Sequence, residues 1–148
     1  MVKYDASLQP GDNPAKGIVN AIQDGVYSAD MYDVFATSNY SRNMYHSFFN
    51  QLLEGGDGTT LWHGSSGKDR TGIATVLILS ALGVSQDTIM QDYLLTNDFV
   101  QGSIQYMTGK AAELTDDEHI LQTVPKVVGV DAELLNGYYQ VMPLAVPI

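Results

Sequence analysis

The sequence predicts an α/β, helix-rich domain with a central sheet flanked by helices, and three observations carry that expectation. Thr59-Thr60-Leu61-Trp62-His63 has the β-branched and aromatic content of a short buried strand. A glycine-bearing loop, Gly64 to Gly72, follows it directly. The segment from Thr71 to Leu82 is then apolar nearly all round and stops at Gly83, the pattern of a central helix rather than a surface one. Strand, loop and buried helix in that order aim backbone N–H groups at whatever sits in the loop.

The remaining elements follow from local pattern. Residues 1–30 are rich in Gly, Pro, Asp and Asn around one short apolar run, Gly17 to Ile22, and read as a mostly irregular arm. From Asn39 to Glu54, the residues Tyr40, Met44, Tyr45, Phe48, Phe49, Leu52 and Leu53 recur at helical spacing before the stop at Gly55-Gly56. That aromatic stripe reads as core packing, and Asp57-Gly58 makes the turn into the strand. Ser85 caps a helix from Gln86 to about Thr96, with Ile89, Met90, Tyr93 and Leu94 inward. The pattern weakens from Asn97. Helical stretches return at Lys110 to Leu114, after a cap at Thr115-Asp116-Asp117-Glu118, and at Asp131 to Tyr139.

One strand does not make a sheet. Gly17 to Ile22, Lys126 to Val130 and Val141 to Val146 are the further candidates, and none has a firm strand pattern. The chain therefore reads as a single domain over residues 1–148, and, since one strand is too few for the sheet such a loop normally caps, as one piece of a larger domain.

Composition narrows the function classes. A chain of 148 residues fits one domain and buries roughly 70% of the surface exposed on unfolding. With 45% hydrophobic and 16% charged residues and no run of eighteen apolar ones, it is neither disordered nor a membrane span. Met1 leads straight into polar residues, so no signal peptide is visible and a cytoplasmic or secreted location is expected. Seventeen acidic against seven basic residues leave a formal charge of −10, which repels nucleic acid. An anion site in such a chain has to build its positive potential locally, and Lys68-Asp69-Arg70 holds two of the seven basic residues. There is no cysteine, hence no disulfide or thiolate metal site.

The loop has the parts that breaking a phosphate monoester requires, save one. Neutralising the phosphoryl oxygens falls to N–H groups at a helix start. Gly67 permits the tight wrap, Gly72 a close approach of the helix, and Arg70 a planar fork for two phosphoryl oxygens. A thiol at position 64, six residues before Arg70, would be pushed toward thiolate by the same donors. The residue there is glycine.

His63, Ser65-Ser66, Gly67-Lys68-Asp69-Arg70-Thr71-Gly72, Leu79 to Val84 and Asp92-Tyr93-Leu94-Leu95-Thr96-Asn97 together resemble the bacterial atypical protein tyrosine phosphatases, whose signature runs His-Cys-x-x-Gly-Lys-Asp-Arg-Thr-Gly. The likeness is specific over Leu61 to Asn97, about a quarter of the chain, and weaker back through the Tyr40 to Leu53 helix. It implies a cysteine-phosphatase-like fold and metal-free hydrolysis of phosphotyrosine through a phosphocysteine, with phosphoserine, phosphothreonine or phosphoinositides as further substrates, inorganic phosphate as a ligand and no cofactor. By the same likeness Gly64 stands at the nucleophile position, Arg70 binds phosphate with Ser65, Ser66, Gly67 and Lys68, Asp69 is the general acid, the Thr71 hydroxyl helps the phosphocysteine leave, and His63 orders the loop.

Two departures qualify that likeness. Without a thiol no phosphocysteine forms, and losing the nucleophile of a covalent mechanism costs on the order of 10⁶ in turnover. Ser65 is no substitute, being one residue out of place and unactivated. The family's early strands and its Asn-Phe-Arg-Asp-type segment are not found before Tyr40, so by this resemblance the N-terminal strands are deleted, rearranged or supplied by another chain. The chain as written is thus expected to bind phosphate esters with impaired catalysis, the alternative being a pure binding module. A nucleotide P-loop fails, because Trp62 and Asp69 occupy the places of its first glycine and its Ser or Thr. Asp69 has a plainer alternative as a charge partner within the loop, Asp92 as a helix-surface residue, and His46 and His119 have no partners at metal-ligand spacing.

Overall fold

Helical periodicity wins nearly everywhere that the chain has apolar residues to bury. In the computed structural model, which describes residues 11–56 and 58–142, the elements are α1 (Lys16–Gln23), α2 (Asp33–Thr37), α3 (Asn39–Glu54), α4 (Asp69–Ala81), α5 (Gln86–Leu94), α6 (Thr96–Phe99), α7 (Gln101–Ala112), α8 (Glu118–Val128) and α9 (Ala132–Val141). No strand occurs among the described residues. None of these helices is long and apolar enough to cross a membrane.

The expected central sheet is therefore corrected to an all-helical arrangement. A strand needs ladder partners for its N–H and C=O groups, and the segments expected to supply them are otherwise engaged. Gly17 to Ile22 lies inside α1, where Ile18, Val19 and Ile22 are buried together on one face. Lys126 to Val128 completes α8, and Val141 closes α9, while 143–146 lie outside the described residues. Thr59 to His63 accordingly stays irregular, with Leu61 85% exposed. The segment read as an irregular arm also differs, since α1 forms within it. Spacing of i, i+1 and i+4 is a helix face rather than a strand alternation.

The chain divides into two compact units, residues 1–28 with 94–131 and residues 29–93 with 132–148. In the first, α1, α7 and α8 meet around Ala15, Ile18, Val19, Ile22, Ala111, Ile120 and Val124. Helix α8 starts two residues later than the Thr115 cap expected, because Asp117 accepts from the N–H groups of His119 and Ile120. A carboxylate so placed satisfies two otherwise unpaired donors and complements the helix dipole. The side-chain amide of Asn97 donates to the Val130 carbonyl (3.1 Å) and accepts from the Val130 N–H (2.8 Å). It thus replaces the backbone partner that Val130 lacks after the helix ends.

The second unit holds α2, α3, α4, α9 and most of α5. Ser38 caps α3 by accepting from the Ser41 N–H, and Tyr45 is buried on that helix. Its aromatic stripe does not all turn inward, since Tyr40 is 76% and Leu53 81% exposed. Helix α4 buries Ile73, Ala74 and Val76, while Leu77, Ile78 and Leu79 are half-buried and Leu82 is exposed. An apolar helix that a sheet would cover on the far side here keeps one buried face. Helix α5 is capped by Ser85 as expected, with Ile89 and Tyr93 buried.

Candidate functional site

The junction between the irregular segment and α4 gathers the loop's polar groups. Trp62 is half-buried and stacks edge-on against Phe48 of α3, with ring centroids 6.0 Å apart, and its indole N–H donates to Thr75 Oγ1 at 3.3 Å. Thr75 in turn donates to the Thr71 carbonyl at 3.0 Å, so the approach to the loop is pinned to the first turns of α4. The chain then bends through Ser65, Ser66 and Gly67, where a φ of +66° calls for glycine, and enters α4 at Asp69.

Helix starts leave N–H groups unpaired, and the preceding bends add more. Among the described residues, no protein acceptor takes the backbone N–H groups of residues 64–71; Gly72 is the first to find one, bonding the Lys68 carbonyl at 3.0 Å. Successive free N–H groups on bent backbone at the mouth of a helix make an anion-binding concavity. Arg70 is exposed there and has no ion pair among the described residues, so the surface ion pair that is its ordinary use is not made. Its carbonyl accepts from the Tyr45 hydroxyl at 3.4 Å.

Lys68 and Asp69 behave differently from Arg70. The Lys68 ammonium lies 2.9 Å from Asp69 Oδ2 and 3.0 Å from Oδ1, with a side chain only 14% exposed. Asp69 Oδ1 also accepts from the Tyr32 hydroxyl at 2.6 Å, and the Tyr32 and Tyr93 hydroxyls are 2.9 Å apart. Asp69 is thus the charge partner within the loop that its sequence neighbours allow. Tyr32 is fully buried, and that burial, followed by the proximity of Tyr93 and Asp69, pushes its ionisation far above the ordinary tyrosine range. It remains a neutral donor at any working pH. Burial likewise raises Tyr45, against a small opposing pull from Arg70, and raises Tyr138 to about 12.

Position 64 is informative for what surrounds it. Gly64 is not among the residues with positive φ, and a Cβ added there meets only one atom within 4 Å, Thr71 Oγ1 at 3.3 Å. That hydroxyl is buried and has no hydrogen-bond partner among the described residues. Backbone conformation does not demand glycine at 64, and a small side chain there would face a hydroxyl that lacks a partner.

Other residues singled out from the sequence are not brought to this loop. Asp92 is exposed on α5, His46 accepts or donates to the Asn50 amide on α3, and His119 sits in the first turn of α8. No cluster of His, Cys, Asp or Glu among the described residues is arranged to hold a metal ion. What sequence reasoning missed is the tyrosine layer beneath the loop. Tyr45 and Tyr93 read from sequence only as helix-interior residues, and Tyr32 carries no signal at all, because hydroxyls that meet a loop from distant positions leave no local pattern.

Comparison with known proteins gives the family. The chain matches the tyrosine phosphatase family over residues 6–143. It belongs to that family. Among curated relatives, this tyrosine phosphatase family member is 32% identical over 102 residues to the triple specificity protein phosphatase PtpB of Mycobacterium tuberculosis, an overlap of 69% of this chain and 35% of the relative. It is also 32% identical over 63 residues to a tyrosine-protein phosphatase of Nostoc commune, covering 43% of this chain and 21% of the relative. The chain thus spans about a third or less of the length of these relatives. No solved structure matches it.

Proposed function

We propose that the loop from Gly64 to Thr71 binds a phosphate monoester, a phosphotyrosine protein or peptide or a phosphoinositide headgroup, and holds it without cleaving it. The observation that carries this reading is the run of N–H groups at residues 64–71 that have no protein acceptor among the described residues, beside an exposed Arg70 that makes no ion pair among them. In a chain with a net charge of −10, these donors and Arg70 concentrate positive potential at one loop. The N–H groups of Ser65, Ser66, Gly67 and Lys68 cradle the phosphoryl oxygens, and Arg70 takes two of them with its fork.

Hydrolysis would need a nucleophile at position 64. A thiolate there would attack phosphorus in line and form a phosphocysteine as the ester oxygen leaves with a proton, and water would then release phosphate. The Thr71 hydroxyl, 3.3 Å from the place of a Cβ, would donate to the sulfur and favour its departure in that second step. Asp69 is the carboxyl nearest in sequence to the phosphate ligands and is the proton donor in this scheme. The parental activity, with a thiol at 64, is phosphomonoester hydrolysis; with Gly64 in place the present chain is a binder.

Calorimetry with a phosphotyrosine peptide and its unphosphorylated twin tests the binding half. Binding only to the phosphorylated form is expected, and failure of both this chain and a folded Gly64→Cys variant to bind would sink the reading. Gly64→Cys is also expected to hydrolyse p-nitrophenyl phosphate without added metal, orders of magnitude above the unsubstituted chain.

A further inference from the structure

Asp69 lies next to the arginine that the anion needs, and an unrestrained carboxylate there would compete for it. Two donors hold it instead, Lys68 on both oxygens and the Tyr32 hydroxyl on Oδ1 at 2.6 Å. The Tyr32 hydroxyl has one proton and two neighbours. Asp69 is the charged acceptor, and Tyr93, 2.9 Å away, closes the arrangement from the other side. Tyr32 itself is 0% exposed at the start of α2, with its ring edge-on to Phe35 at 5.2 Å. It is therefore a fixed point against which the Asp69 carboxylate is set.

From this geometry, and resting on the phosphate-binding reading above, we infer that Tyr32 is a positioning residue for the loop: it retains Asp69 on the Lys68 side, so that Arg70 stays free for the phosphate. The same contact fixes the carboxyl whose proton transfer the catalytically competent loop would use. Tyr45, whose hydroxyl donates to the Arg70 carbonyl at 3.4 Å, steadies the backbone next to Asp69 and makes no hydrogen bond to a carboxylate among the described residues. Its removal is thus a control for loss of support without release of the carboxylate.

The test is a double-mutant cycle on the chain as it stands, read by calorimetry with a phosphotyrosine peptide. Tyr32→Phe keeps the ring and removes the hydroxyl, and is expected to weaken peptide binding about tenfold. In the D69A background, where no carboxylate remains to swing onto Arg70, the same substitution is expected to change affinity less than about twofold. Tyr45→Phe should weaken binding equally in both backgrounds. Equal losses for Tyr32→Phe in both backgrounds, or no loss in either, would overturn the inference. If the unsubstituted chain binds no peptide, the phosphate reading falls, and with it the role given to Tyr32. The link between Tyr32 and Asp69 is then still decided by the ligand-free melting temperatures of the four proteins, where additive shifts count against it.

Discussion

At the scale of single residues, the same side-chain types do opposite things according to what their neighbours leave open. Arg70 makes no ion pair among the described residues, while Lys68, two residues earlier, is spent on Asp69. Arg70→Ala is accordingly expected to weaken phosphotyrosine-peptide binding by about a hundredfold, and Arg70→Lys to recover only part of it, because an ammonium lacks the fork. The comparable residue in the first unit is Asn97, whose amide serves both backbone groups of the buried Val130. Asn97→Ala leaves both unpaired and is expected to lower stability by about 2–3 kcal/mol, measurable as a fall in the urea midpoint with little change in slope. Loop membership was legible for Gly64 to Thr71, since motif spacing is local. The tyrosines were not, because Tyr32 stands 37 residues before the Asp69 to which it donates.

Elements were legible where period and punctuation agreed. Helix α3 ends at its glycines, and α5 begins at Ser85, as the residue pattern predicts. Helices α1 and α7 were underread, the first because Gly and Pro surround it and the second because its glycines, Gly102 and Gly109, dilute the pattern. The strand at Thr59 to His63 failed for another reason. Strand propensity measures fit to a pleated surface, and no such surface forms among the described residues. At the start of α8, the capping Asp117 is exposed to solvent and its carboxylate accepts from the His119 and Ile120 N–H groups. Asp117→Ala should cost about 1 kcal/mol in thermal or urea unfolding, and Asp117→Asn much less.

For the whole molecule the main consequence of so many buried hydroxyls is a one-sided dependence of stability on pH. Tyr32, Tyr45 and Tyr138 all ionise later in the folded protein than in the unfolded chain, chiefly because burial disfavours the phenolate. The unfolded chain therefore releases these protons first as pH rises. Stability from this source is complete below about pH 10 and, for Tyr138, is lost from there up to about 12, at a slope of about 1.4 kcal/mol per pH unit for each group. Urea unfolding across that interval should show the decline, and Tyr138→Phe should make it shallower by one proton. An unchanged slope would mean that the hydroxyl is hydrated in the folded protein.

Position 64 has a further implication, drawn from codons rather than contacts. Backbone angles there are ordinary, and the space admits a small side chain against the Thr71 hydroxyl. Where glycine is encoded by GGU or GGC, a single base substitution writes cysteine. If the rest of the loop suffices for chemistry, this chain stands one point mutation from a thiol enzyme, and selection for growth on a phosphate ester should recover that codon change ahead of any other.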